Sequence, residues 1–167
     1  AGAGTPITLG TVNGSSGTPN LTINTTSTVS VGAVGSAIGT VTITNSGGTT
    51  FSSTVNAATV TLTDTTDNTN ITFTGALTAT TLYTEAEGYN VVINAGGTIT
   101  DQVTFANTGT VTLVGATAFT GGVTATAPSS KTINGTITAG TGVINLGGNG
   151  VTVSGNSTVG GTSTGQI

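Results

Sequence analysis

Cysteine and histidine are absent from this 167-residue chain, and lysine occurs once. Without cysteine there are no disulfides and no thiolate metal centres, so stability must come from packed backbone structure. Without histidine, neither a Ser-His nor a Cys-His nucleophilic arrangement can be built, and histidine-based metal sites are excluded as well. A Ser/Lys pair would need Lys131, isolated in the APSSK stretch at 127–131, to lie buried beside a serine. Paired carboxylates remain for acid/base cleavage of glycans. Glu85 and Glu87 are spaced i, i+2 in a strand-like stretch and would share a face, yet their segment breaks the surrounding pattern. The expectation is a protein that is not an enzyme and carries no cofactor.

Charge is nearly missing too. Lys131 is the only basic residue and Asp64, Asp67, Glu85, Glu87 and Asp101 are the only acids, 4% of the chain, against about a quarter in an ordinary soluble domain. One lysine cannot make the basic patch that a phosphate backbone requires, which excludes nucleic acid as a partner. There is no run of apolar residues long enough for a membrane helix and no basic stretch followed by an apolar one at the start. A surface of Thr, Ser, Asn and Gly is wet without being charged, which suits a secreted, extracellular or cell-surface protein. Ala1, opening the small-residue run AGAG, is then expected to be the end left by signal cleavage.

What is present is threonine, roughly a quarter of the chain, and glycine at 28 positions. β-Branched residues at this density favour strands, and Gly with Asn supplies the turns. No shift in composition marks a boundary, so one domain is expected. The stretch Val91 to Leu113 holds a whole period: VVIN at 91–94 returns as VTLV at 111–114, with TITDQVTF between and Gly- or Asn-rich corners beside it. A series of alternating segments begins near Leu21, Val41, Val60, Thr81, Val103, Val123 and Val143. A second runs about ten residues out of phase, near Val29, Phe51, Ile71, Val91, Val111, Ile133 and Val151. Self-similarity at this period is the mark of a repeat architecture. The register is ambiguous around 77–83 and 98–103, where adjacent segments claim the same slot.

The fold class expected is all-β, a single-domain parallel β-solenoid (β-helix) of about seven coils, each of about 20 residues and at least two strands, over 21–167. Residues 1–20 form a less regular N-terminal segment, read either as a frayed end or as a capping or subunit-docking strand. A β-sandwich is the alternative, since short strands at this spacing are its cue. It ordinarily buries large aromatics, and here there is no Trp and only four Phe. A membrane barrel needs aromatic girdles that two tyrosines cannot supply.

The repeated GGTIT, GTVTL, VTIT, INLGG and VTVSG resemble the Thr/Gly-rich repeats of bacterial autotransporter passengers and filamentous-haemagglutinin-like surface adhesins. The resemblance covers nearly the whole chain and implies an exported parallel β-helix that serves as an adhesin or structural fibre.

Two segments carry candidate contacts. LYTEAEGY at 82–89 holds both tyrosines and two acids; Tyr83, Glu85, Glu87 and Tyr89 are read as a partner-contact patch, because Tyr gives large amphipathic area at low entropy cost. Lys131 is a candidate to pair with one of these acids on a neighbouring subunit. DTTDNTN at 64–70 gathers Asp64, Asp67, Asn68 and Asn70, hard oxygen ligands of the kind calcium uses, although Asx-rich turns without metal have the same composition. Six N-x-[ST] sequons, at Asn13, Asn20, Asn24, Asn70, Asn134 and Asn156, are acceptors wherever a host glycosylates them. The pairs Thr42/Thr44, Thr61/Thr63, Thr78/Thr80 and Thr98/Thr100 recur near the period and would form outward ladders, the basis for a minor, ice-binding reading.

A solenoid leaves a raw strand edge at each end unless something covers it. The expected function is therefore a structural subunit of a self-assembling extracellular fibre or surface filament, its partner itself as an axial homopolymer, with Ile7, Leu9 and Val12 as docking residues. The alternative is a monomeric surface adhesin or passenger fragment that binds glycan or protein on a host or neighbouring cell.

Overall fold

The computed structural model describes residues 4–167; Ala1, the expected cleavage end, lies outside the described residues. Every strand pairing is parallel, and each joins residues about one coil apart in sequence. Parallel neighbours cannot be joined by tight hairpins, so the chain must climb, and the β-sandwich alternative is set aside.

The climb has three faces. The first stacks Ile7–Leu9, Val29–Val31, Thr49–Phe51, Asn70–Phe73, Asn90–Ile93, the first half of Thr110–Phe119, the first half of Ser130–Thr138, and Val151–Val153, eight rungs in all. The second begins with a bridge from Val12 to Val34 and continues through Val55, Leu77, Gly97, Thr117, Ile137 and Val159. The third runs from Leu21–Asn24 through Val41, Val60 and Leu82, then Val103–Thr104, Val123–Thr124 and Ile144–Asn145. The two series legible in the sequence are the first and third faces. The second accounts for the ambiguous slots at 77–83 and 98–103; of the eight first-face rungs, seven fall within 21–167, as expected, and the eighth, Ile7–Leu9, is in the N-terminal segment.

Alternation decides which side chains are inside. On the first face Leu9, Val31, Phe51, Phe73, Ile93, Leu113, Ile133 and Val153 lie one above another, and all but the two end residues are buried. Phe51 and Phe73 stack with ring centroids 5.0 Å apart and planes 3° from parallel, as in-register stacking of like residues dictates. Phe105 and Phe119 approach from different faces and meet edge to face at 6.0 Å. All four phenylalanines are in the core.

Close coil-to-coil approach fixes the corners. Gly97 has φ 141° and Gly135 φ 146°, and a Cβ at either would collide with backbone of the coil beneath, Leu77 and Gly115 respectively. Glycine satisfies both constraints at once. Where the third face loses main-chain pairing, between Leu82–Thr84 and Val103–Thr104, the buried Thr84 hydroxyl bridges the gap. It accepts from Ala106 N at 2.8 Å and donates to Thr104 O at 3.3 Å.

Phe73→Ala is expected to lower unfolding free energy by about 3–5 kcal/mol, whereas Thr72→Ala, one residue away and facing out, should cost less than about 1 kcal/mol. Denaturant titration of the two variants checks this.

Candidate functional site

Among the aromatic side chains Tyr83 alone is exposed, at 48%. It faces out from the third face, in register with Thr61. The neighbouring Glu85 carboxylate raises the Tyr83 pKa above that of a free phenol, through a side-chain hydrogen bond first and charge second. Tyr83 and Glu85 thus present an aromatic face with an acid beside it.

Three other members of the expected contact group fall elsewhere. Tyr89 is wholly buried. Its hydroxyl donates to Leu62 O at 2.6 Å and accepts from Glu85 N at 3.1 Å, and burial pushes its pKa far above the usual value. It is a core residue that pins the corner below it, with no surface to offer a partner. Glu87 does not share a strand face with Glu85, because Glu87 N donates to Glu85 O at 2.9 Å and the segment folds as a turn. Lys131 is only 2% exposed. It points inward on the first face, in a column reading Ile7, Val29, Thr49, Ile71, Val91, Val111, Lys131, Val151. A side chain so placed cannot reach an acid on another subunit, nor does it activate a serine. Its ammonium has one hydrogen-bond acceptor, Pro128 O at 3.5 Å, and desolvation lowers its pKa.

The 64–70 segment is tied into the fold by hydrogen bonds. Thr65 turns inward, and its hydroxyl joins those of Ser46 at 2.7 Å and, through Ser46, Thr49 at 3.0 Å, a buried polar knot at the corner before the first face. Asn68 adopts φ 62° to turn the chain. Asn68 O and Asn70 Oδ1 are both taken by Asn90 Nδ2 at 3.0 Å. Among the described residues no group of three or more acids is gathered that would hold a metal. Asn68 and Asn70 thus staple this Asx-rich corner, with Asp64 and Asp67 beside them, to the next coil.

The threonine pairs divide between faces. Thr42 and Thr61 stack on the third, Thr78 and Thr98 on the second, so the four pairs do not make one array. The first face carries a hydroxyl column interrupted at Val92: Thr8, Ser30, Thr50 and Thr72 before it, Thr112, Thr132 and Thr152 after it. All six sequon asparagines are exposed.

Ile7, Leu9 and Val12 form the first rung, paired forward to Val29–Val31 and to Val34. At the opposite end Val151 and Val153 belong to the same inward columns, and Val153 is 61% exposed. The tail thus carries the second apolar end, a role that sequence reading assigned only to the N-terminal segment; the alternation of VTV at 151–153 was the available signal.

The fold and these sites define a parallel β-solenoid with a sparsely charged, hydroxyl-rich exterior. In comparison with known proteins the chain matches no family model, no curated protein and no solved structure.

Removing the buried amine is expected to stabilise the fold. Lys131→Met keeps an unbranched chain and lifts the desolvation penalty, so its melting temperature should exceed that of the parent at pH 7. A lysine whose folded-state pKa is depressed gives stability that rises with pH between that value and the unfolded 10.5. The advantage of the variant should therefore shrink as pH climbs through that window, which melting curves across alkaline pH will measure.

Proposed function

We propose that this chain is a non-catalytic structural module of a secreted or cell-surface filament, and that copies stack end to end along the solenoid axis. The observation that carries the proposal is the parallel, in-register stack itself, in which each coil pairs with its equivalents before and after. Apolar residues of its inward columns are exposed at the first and last described rungs, Ile7 at one and Val151 and Val153 at the other. An exposed parallel edge presents unpaired N–H and C=O groups, a template for another strand. Repeating one heterologous contact that does not close gives a filament. Near-absence of charge supports the same reading, since proteins ordinarily keep such edges apart with charged side chains. Likeness in composition to autotransporter-passenger and haemagglutinin-like repeats supports a place outside the cell.

A second reading, a surface adhesin that binds glycan or protein, is favoured by Tyr83 alone. Aromatic residues are enriched at binding surfaces, and this one stands among threonines with Glu85 at its side. The residues available for catalysis support neither reading as an enzyme. The ice-binding reading has only the first-face hydroxyl column behind it, and thermal hysteresis of the purified chain decides it.

Electron microscopy of the purified chain at rising concentration tests stacking. Filaments with an axial repeat of about 38 Å, eight rungs at the usual interstrand spacing, are expected. Discrete rods one subunit long at every concentration would contradict it. If the adhesin reading holds, Tyr83→Ala should abolish glycan or protein capture while leaving the melting temperature unchanged; capture that survives the substitution removes Tyr83 from the account.

A further inference from the structure

We infer that the outer third face around Tyr83 is a docking surface for a cationic protein segment, an extended stretch bearing lysine or arginine at alternate positions. This rests on the adhesin reading of Tyr83 given above and names the chemistry of its partner. The surface lies in the middle of the stack, on coils with a neighbour on either side.

The outward column of this face sets the ring apart. Thr42, Thr61 and Tyr83 stand in one register, and Thr104, Thr124 and Asn145 continue the column beyond the gap in the ladder. Threonine serves a solvated strand position well, and nothing in the packing beneath requires a tyrosine in its place. The ring is surplus to the fold.

A carboxylate lies on each side of it along the strand. Glu85, two residues on, comes close enough to the phenol to raise its pKa. Thr81, two residues back on the same outer face, donates its hydroxyl to Asp101 Oδ2 at 2.7 Å. The corner bend puts Asp101 there, because successive amides, Thr100 N and Asp101 N, donate to successive carbonyls of the coil beneath, Ala79 O at 3.1 Å and Thr80 O at 2.8 Å. One aromatic ring is thereby bracketed by two acids drawn from two coils.

The charge balance of the chain decides the sign of the partner. All five acids lie between Asp64 and Asp101, while the one basic side chain, Lys131, is buried on the first face. No basic side chain of the chain itself stands at the surface to answer these carboxylates. A complementary partner therefore carries positive charge. A cation over the ring face is attracted by the π-system, and its N–H groups make charge-assisted hydrogen bonds to the acids on either side. A neutral glycan would use the ring and leave both negative charges unanswered. Alternate residues of a strand lie about 6.6 Å apart on one face. An extended segment running along Thr81, Tyr83 and Glu85 thus sets its own alternate side chains over Asp101, the ring and Glu85 in turn.

The probe is a short peptide alternating lysine and serine, with its fully acetylated form as the uncharged control, titrated against the intact chain by fluorescence anisotropy. The lysine peptide is expected to bind, the acetylated one not to, and added sodium chloride should weaken the complex. Glu85→Gln and Asp101→Asn keep the shape and remove the charge, and each should weaken binding about two- to fivefold. Asp67→Asn, at the corner before the first face, should leave it unchanged. Equal weakening by Asp67→Asn would mean that the peptide answers to net charge alone and would overturn the docking surface. If an array of neutral glycans is captured through Tyr83 and the lysine peptide is not, the inference falls while the adhesin reading stands. Capture of neither removes both.

Discussion

Parallel pairing in register, repeated at each coil, is the constraint from which the other features follow. Because each rung lies flat on the last, a residue's neighbours are its equivalents one period before and after, and side-chain choice becomes a question about columns. Valine on isoleucine and Phe51 on Phe73 fill a narrow interior. The same closeness leaves no room for a Cβ at Gly97 or Gly135. Polar groups that enter the interior must be satisfied along the axis, as Thr84 is by Thr104 O and Ala106 N, and Tyr89 by Leu62 O and Glu85 N. Lys131, with one long hydrogen bond, and the unpartnered Asn107 Oδ1 and Thr117 Oγ1 meet this constraint least well.

Two of the three faces were legible because their strands alternate strongly and end in Gly- or Asn-rich corners. The second face was hidden by its composition. Its inward column includes Gly97 and Thr117, which no apolar pattern flags. Its strands also run into the third face without a turn signal, as in Val34–Asn45 and Leu77–Thr84. Period alone also misplaced rungs by a residue or two. Ile133 looks like the successor of Val111 because both are apolar, yet Val111 sits in register with Lys131 and Ile133 with Leu113. Had the twenty-residue step been held strictly, it would have put the lysine indoors.

The contact segment was half legible. Tyr83 and Tyr89 stand six apart in one pattern-breaking stretch, and composition treats them alike. What separates them is that Tyr83 falls at an outward strand position and Tyr89 just past a turn that aims it at the carbonyl of Leu62. The Asx-rich corner followed the same logic: two of its oxygens, on Asn68 and Asn70, are hydrogen-bonded by Asn90 from the next coil, which the local sequence does not show. In a solenoid the partner of a polar side chain is ordinarily about twenty residues away, and local motifs say little about it.

The proposed axial stacking stands or falls on whether the end rungs acquire partners. Hydrogen exchange followed against protein concentration measures that directly. Protection of the Thr8 and Val151 amides is predicted to rise with concentration while that of Val91, in the middle of the stack, stays constant. End-rung exchange that is fast at every concentration would contradict axial stacking.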